Sequence, residues 1–174
     1  MDQIDGARQA TQHLIDLGHR SIDHVAGPLT YTEAKGRRTG YEASMHDAGL
    51  FPGKLWEGDW TPASGYRIGS ELVRKGGSTA VFVANDQMAI GVLHAFAEAG
   101  LRMPDDVSVV GFDDIPEAAY LNPSLTTIRQ DFKAVGQRAI ELVIATLDGS
   151  DLSVPLLSPE LIIRGSTVTH EEMR

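Results

Sequence analysis

Apolar and polar positions along the chain repeat with two different periods. Ala80–Ala84, AVFVA, is an unbroken apolar run, the pattern of a strand buried on both faces. Asn85-Asp86 ends it and supplies a cap for the next segment. Ala89, Ile90, Leu93, Phe96 and Ala97 then recur at three- and four-residue steps, which predicts an amphipathic helix. Gly100 stands at the left-handed position that closes such a helix. Val107–Gly111 is a second buried strand, with Asp113-Asp114 just past its end. Polar residues therefore stand just past two strands at one edge of a parallel sheet, the edge at which open α/β sheets bind ligands.

The same alternation runs through the rest of the chain. Asp5 is the expected cap of a first helix with Ala7, Ala10, Leu14 and Leu17 on one face and Gly18 at its end. Ser21–Ala26 reads as a strand ending at Gly27-Pro28, then a polar loop, Leu29–Ala34, and a helix over Lys35–Ala48. Leu55–Trp60 reads as a strand and its exit, and Thr61-Pro62 as a cap with proline at the first helical position. Ile68, Leu72 and Val73 carry that helix to Gly76-Gly77. Beyond Asp114 come a loop with two prolines, Ile115–Pro123, and a short extended crossing, Leu125–Ile128. Asp131 then caps a helix with Val135, Ala139, Leu142, Val143 and Leu147 on its apolar face and Gly149 at its end. Leu161–Ile163 is a last strand, and His170–Arg174 a polar tail expected to be loose. Strand–helix alternation of this kind predicts the α/β class with a doubly wound parallel sheet.

Composition narrows the function. Apolar content of 42% and charged content of 22% suit a globular domain, and 174 residues suffice for one good core or two small lobes. A net charge of −9 argues against this chain by itself gripping nucleic acid. With no cysteine there is no disulfide framework and no thiolate chemistry, in keeping with a reducing cytoplasm. The start, MDQIDGARQA, lacks an apolar signal core, and no apolar run approaches a membrane span, so a cytoplasmic location without membrane contact is expected. G-x-G-x-x-G, the Walker loop, G-x-S-x-G and H-E-x-x-H are all missing. The six histidines lack metal-ligand spacing, and no cofactor is called for. Asp113 and Asp114 with Asp86 could supply a glycosidase acid and base, but Asp113 and Asp114 are neighbours on an extended segment and point to opposite sides, which argues against that role and against an enzyme.

A ligand site is better supported. Sugars are held by carboxylate, amide and guanidinium groups at their hydroxyls and by an aromatic face on their C–H side. Lys35, Arg37 and Arg38 come after the first strand, Trp60 after the second, Asn85 and Asp86 after the third, and Asp113 after the fourth. Each has a plainer reading: Trp60 as a cover for a helix end, Asp86 as a cap, Arg37 and Arg38 as partners of Glu33 or Glu42, and Asn85 and Asp113 as turn formers.

The segments GARQATQHLIDLGHRSI, AGPL, EGDW, VANDQMAIGV, DVSVVGFDD and PSLTTIRQDF resemble the effector-binding core of the lactose-repressor (LacI/GalR) family of bacterial transcription regulators. The likeness runs from about Asp5 to Thr167, with the motifs in the family's order and spacing. It implies a periplasmic-binding-protein-like fold that closes two lobes on a small effector, here mainly the C-terminal lobe. On that basis residues 1–128 form the C-terminal lobe, 129–155 a crossing and a helix of the N-terminal lobe, and 156–174 a returning strand and tail. Asn85 and Asp113 match positions that bind sugar hydroxyls, Trp60 the aromatic that packs on the sugar, and Gln130 and Phe132 residues at the crossing that face the ligand. Lys35 lies where the lactose branch carries a ligand-binding arginine, and Arg37 matches another common arginine of the family.

The resemblance also implies a homodimer through the Met88–Ala99 helix and the Ile115–Pro123 loop. Met88, Val92 and Phe96, on a second side of that helix, fit either a partner face or the core. Operator DNA would be reached only through an N-terminal helix-turn-helix domain, for which nothing precedes Met1, so a truncated core is expected. The rival readings are a transport-type sugar-binding protein of the same fold and, less favoured, a sugar-acting enzyme.

Overall fold

The computed structural model describes residues 1–148 and 156–170. A four-stranded parallel sheet runs in the order β2-β1-β3-β4, with β1 at Ile22–Ala26, β2 at Leu55–Glu57, β3 at Ala80–Val83 and β4 at Ser108–Val110. Helices α1 (Gln3–Asp16) and α2 (Thr32–Asp47) pack on one face, and α3 (Pro62–Lys75) and α4 (Asp86–Glu98) on the other. The sheet is therefore doubly wound. The unbroken apolar run of β3 reflects this: Ala80 and Phe82 enter the core under α1 and α2, while Val81 and Val83 enter the core under α3 and α4. Strand order reverses between β1 and β3, which makes their carboxyl ends the topological switch point.

Local chemistry sets the helix starts. Thr61 accepts from the Ser64 amide and Pro62 opens α3, as its sequence predicts. The Asn85 side-chain oxygen accepts from the Met88 amide, so Asn85 and not Asp86 caps α4. Asp2, not Asp5, caps α1, and the helix begins before Asp5 as a result. Helix α2 starts at Thr32, inside the stretch expected to be a polar loop. Gly100 has φ of +77°, the left-handed closure its position required.

Packing decides two points that periodicity leaves open. The last strand, β6 (Glu160–Ile162), does not join the parallel sheet. It pairs antiparallel with β5 (Thr127–Arg129) in a separate two-stranded ribbon. Past β4 the chain bridges in parallel to the crossing at Val110–Thr126 and Asp113–Arg129, and Asp113 and Asp114 have φ values of +110° and +53°. Asp114 then grips the ribbon through Arg129 and Arg164, both at 2.6 Å. The second point concerns α4. Met88, Val92 and Phe96 belong to the core between the sheet and α3, so they offer nothing to a partner. The outward residues of α4 are Gln87, Ile90, His94, Ala97 and Glu98.

Helix α5 (Phe132–Leu147) is capped by Asp131 as expected and buries none of its residues. Phe132, Ile140, Val143 and Leu147 are all exposed. The stop expected at Gly149 and the end of the 129–155 segment lie outside the described residues. At the other terminus His170 is held by a 2.7 Å hydrogen bond from its amide to the Leu17 carbonyl, while the tail beyond it falls outside the described residues.

Candidate functional site

The carboxyl edge of the sheet carries two adjoining depressions. One, of about 290 Å³, is lined by Tyr31, Glu33, Arg37, Trp60, Asn85 and Asp113. The other, of about 540 Å³, shares Glu33, Arg37 and Asp113 and adds Gln3, Gln130 and Phe132 among its walls. The residues come from the ends of β1, β2, β3 and β4 and from the crossing, as the switch-point position dictates.

Arg37 is the hub. It projects from α2 and is almost wholly buried. Its Nε donates to the Gln3 Oε1 at 2.8 Å, Nη1 donates to the Ala84 carbonyl, and Nη2 meets Asp113 Oδ1 at 3.3 Å. The guanidinium plane lies 3.8 Å from the centre of the Phe112 ring. Burial pulls the Arg37 pKa below its ordinary value, and the charge of Asp113 opposes that pull. Asp113 accepts a second bond, from Gln130 Nε2 at 2.6 Å. Burial raises the Asp113 pKa, with Arg37 and Gln130 acting against it. Both partners of the pair are thus desolvated and hold each other charged.

Trp60 has φ of +73°, and its ring lies against the Gly27 backbone: a Cβ on Gly27 would meet the ring at 2.1 Å. Tyr31 stands edge-on to Trp60 with ring centres 6.3 Å apart. Asn85 serves two ends. Its oxygen caps α4, and its amide nitrogen donates to the Trp60 carbonyl at 3.1 Å, which ties the aromatic wall to the helix start.

Behind the site, Asp86 is fully buried and takes hydrogen bonds from the Thr127 hydroxyl at 2.6 Å and the Ile115 amide at 3.0 Å. Burial, aided by the nearby charge of Asp113, pushes its pKa to about 7, against those hydrogen bonds. Gly111 leaves room for this carboxylate, since a Cβ there would sit 2.1 Å from Asp86 Oδ1.

Six of the seven residues singled out from the sequence, Arg37, Trp60, Asn85, Asp113, Gln130 and Phe132, line these depressions. Lys35 is exposed on α2 and lines neither. Two residues away from Arg37 along a helix, it faces a different side. Arg38 pairs instead with Glu42 at 2.7 Å on the solvated side. Tyr31, Glu33 and Gln3 were missed. The signal for Glu33 is its four-residue spacing from Arg37, which counts only once the helix starts at Thr32. Among the described residues no cluster of acids and histidines could hold a metal ion, and no helix is long and apolar enough to cross a membrane.

Fold and edge together define an effector-binding module on the open parallel α/β plan. Residues 11–167 match the periplasmic binding protein-like domain. The chain is 39% identical over 168 residues to the HTH-type transcriptional repressor PurR of Pasteurella multocida, covering 94% of this chain and 50% of that protein. It is 37% identical over 164 residues to the lactose operon repressor of Escherichia coli, covering 94% and 46%. Among solved structures, a dimeric Lac repressor with a C-terminal deletion superposes with a TM-score of 0.93 at 36% identity, over 98% of this chain and 64% of that one. A sugar-binding LacI-family regulator of Escherichia coli, solved with phosphate, gives 0.90 at 34%, over 97% and 62%. The chain belongs to the periplasmic-binding-protein-like family and corresponds to the effector-binding core of LacI-type repressors. It spans about half the length of the curated relatives it matches. These relatives are repressors and not enzymes, and they favour the regulator core over a transport protein.

Proposed function

We propose that the chain binds a sugar effector at the carboxyl edge of its sheet and, within a full-length cytoplasmic repressor, couples that binding to the hold of an N-terminal domain on operator DNA. Asp113 and Asn85 supply polar contacts to hydroxyls, Gln130 and Phe132 bound the side toward the crossing, and Trp60 with Tyr31 provides the aromatic face. Arg37 holds Asp113 charged and in place. The observation that carries the reading is this convergence at the switch point of aromatic, amide and paired carboxylate groups. Lys35 has a weaker claim, because it borders neither depression. Helix α5 belongs with a second lobe that would cover its exposed apolar side chains. A second copy would pack on the outer face of α4 and the Pro116–Tyr120 turn, where Ile90, Ala97, Tyr66 and Tyr120 are available.

The test is calorimetric titration of mono- and disaccharides into the protein expressed from its whole reading frame, with W60A and D113N alongside. Binding of at least one sugar, weakened by about tenfold or more in each variant, is expected for a lost aromatic face or a lost charged acceptor. Absence of binding by every sugar removes the sugar assignment.

A further inference from the structure

The charges around the smaller depression bear on which effectors it admits. Its ionisable walls, apart from the Tyr31 phenol, are Glu33, Arg37 and Asp113. All three nitrogens of Arg37 donate to protein acceptors, on Gln3, Ala84 and Asp113, and its plane is covered by Phe112. This cation is therefore neutralised by Asp113 and turned inward. Glu33 is the opposite case. It is exposed, and among the described residues it has neither a hydrogen bond nor an ion pair, only a longer-range attraction to Arg37. Lys35, the other cation of this turn, borders neither depression. One uncompensated carboxylate thus stands over the site, in a chain whose net charge of −9 adds a field of the same sign. An acid in the first turn also suits the dipole of α2, which accounts for its place on the helix but not for its place on the wall of both depressions.

We propose that Glu33 is a specificity-determining residue that favours uncharged or ammonium-bearing polyhydroxyl effectors and rejects those carrying phosphate or carboxylate. A phosphate in the smaller depression would meet Glu33 with no free cation on the walls to offset it, and displacing Asp113 from Arg37 would leave a buried carboxylate unpaired. This inference rests on the sugar-binding reading.

The test uses calorimetry on the protein from its whole reading frame, comparing the tightest neutral sugar with its amino and phosphorylated derivatives. The phosphorylated derivative is expected to bind more weakly than its parent by about two- to fivefold, the scale of a solvent-exposed charge contact. E33Q is expected to narrow that ratio, E33K to reverse it, and added salt to shrink it in the wild type. A phosphorylated derivative that binds as tightly as its parent, or a ratio unmoved in both variants, overturns the proposal. If no sugar binds, the sugar reading falls, and inorganic phosphate still decides the charge rule. Thermal protection by phosphate of E33K but not of the wild type supports the rule, and protection of the wild type overturns it.

Discussion

Replacing Arg37 by methionine keeps much of its aliphatic bulk and removes the guanidinium. The Ala84 carbonyl loses its donor from Nη1, Gln3 loses its bond to Nε, and Asp113 is left with Gln130 alone. Breaking a buried pair by deleting one partner costs about 3–5 kcal/mol. Two features pull the value here to the lower end. The Asp113 side chain retains 20% exposure, which admits water. Burial also already raises its pKa, so protonation offers the orphaned carboxylate a way out. Loss of about 3 kcal/mol is expected, and at about 2–4 °C per kcal/mol for a chain of this size Tm falls by about 6–12 °C. D113N should cost less, about 1–2 kcal/mol, because its amide oxygen still accepts from Arg37 and Gln130. The assay is urea unfolding of R37M, D113N and the double variant. The double variant is expected to be more stable than the summed single losses imply, by about 1 kcal/mol or more, since the two residues share one network. If R37M loses less than about 1 kcal/mol, or if the three losses simply add, Arg37 is not the hub of the site.

Neighbouring features give three further expected outcomes. Asp86 has a folded pKa of about 7, above its unfolded 3.8, so the folded state carries the extra proton between them and this group lowers stability as pH rises through that window. Buried His19 and His24, both lowered to about 4 from 6.5, act oppositely and remove stability as pH falls through theirs. D86N should therefore improve stability at pH ~7.5 relative to pH ~5 by about 2–3 kcal/mol compared with wild type, read from urea midpoints, and an unchanged difference counts against the assignment. G27A should drive the Trp60 ring out of its seat, with a cost of about 1–3 kcal/mol. Indole emission in a W56F background should shift to the red, and unchanged emission would mean that the seat is not tight. I90E combined with Y120E should convert a dimer to a monomer in sedimentation of the protein from its whole reading frame, and an intact dimer would place the contact elsewhere.

The strand–helix alternation is legible because each parallel strand is buried on both faces and each helix on one, so periodicity carries the plan. The departures from it have local causes. The start of α2 is hidden because Tyr31-Thr32-Glu33 has the composition of a loop, and Tyr31 at the cap position makes no side-chain cap bond to announce the helix. That hides Glu33 and gives Lys35 a place it does not hold. The antiparallel pairing of β5 with β6 is not legible because a three-residue strand carries no mark of its partner. Met88, Val92 and Phe96 are ambiguous by spacing, and only the packing of α3 over α4 assigns them to the core. Arg37 as the electrostatic centre is not legible, since its partners Gln3, Ala84 and Asp113 are far away in sequence.

The site has a floor and a rim of different character. Arg37, Asp113 and Asn85 are bonded to the framework, and a change at any of them is paid in folding stability. Tyr31 and Glu33 are exposed on the rim, Tyr31 edge-on to Trp60, so changes there reach little of the buried core. On the proposed site, side chains of the rim can be exchanged without touching the buried floor, so effector preference and folding stability are carried by separate residues.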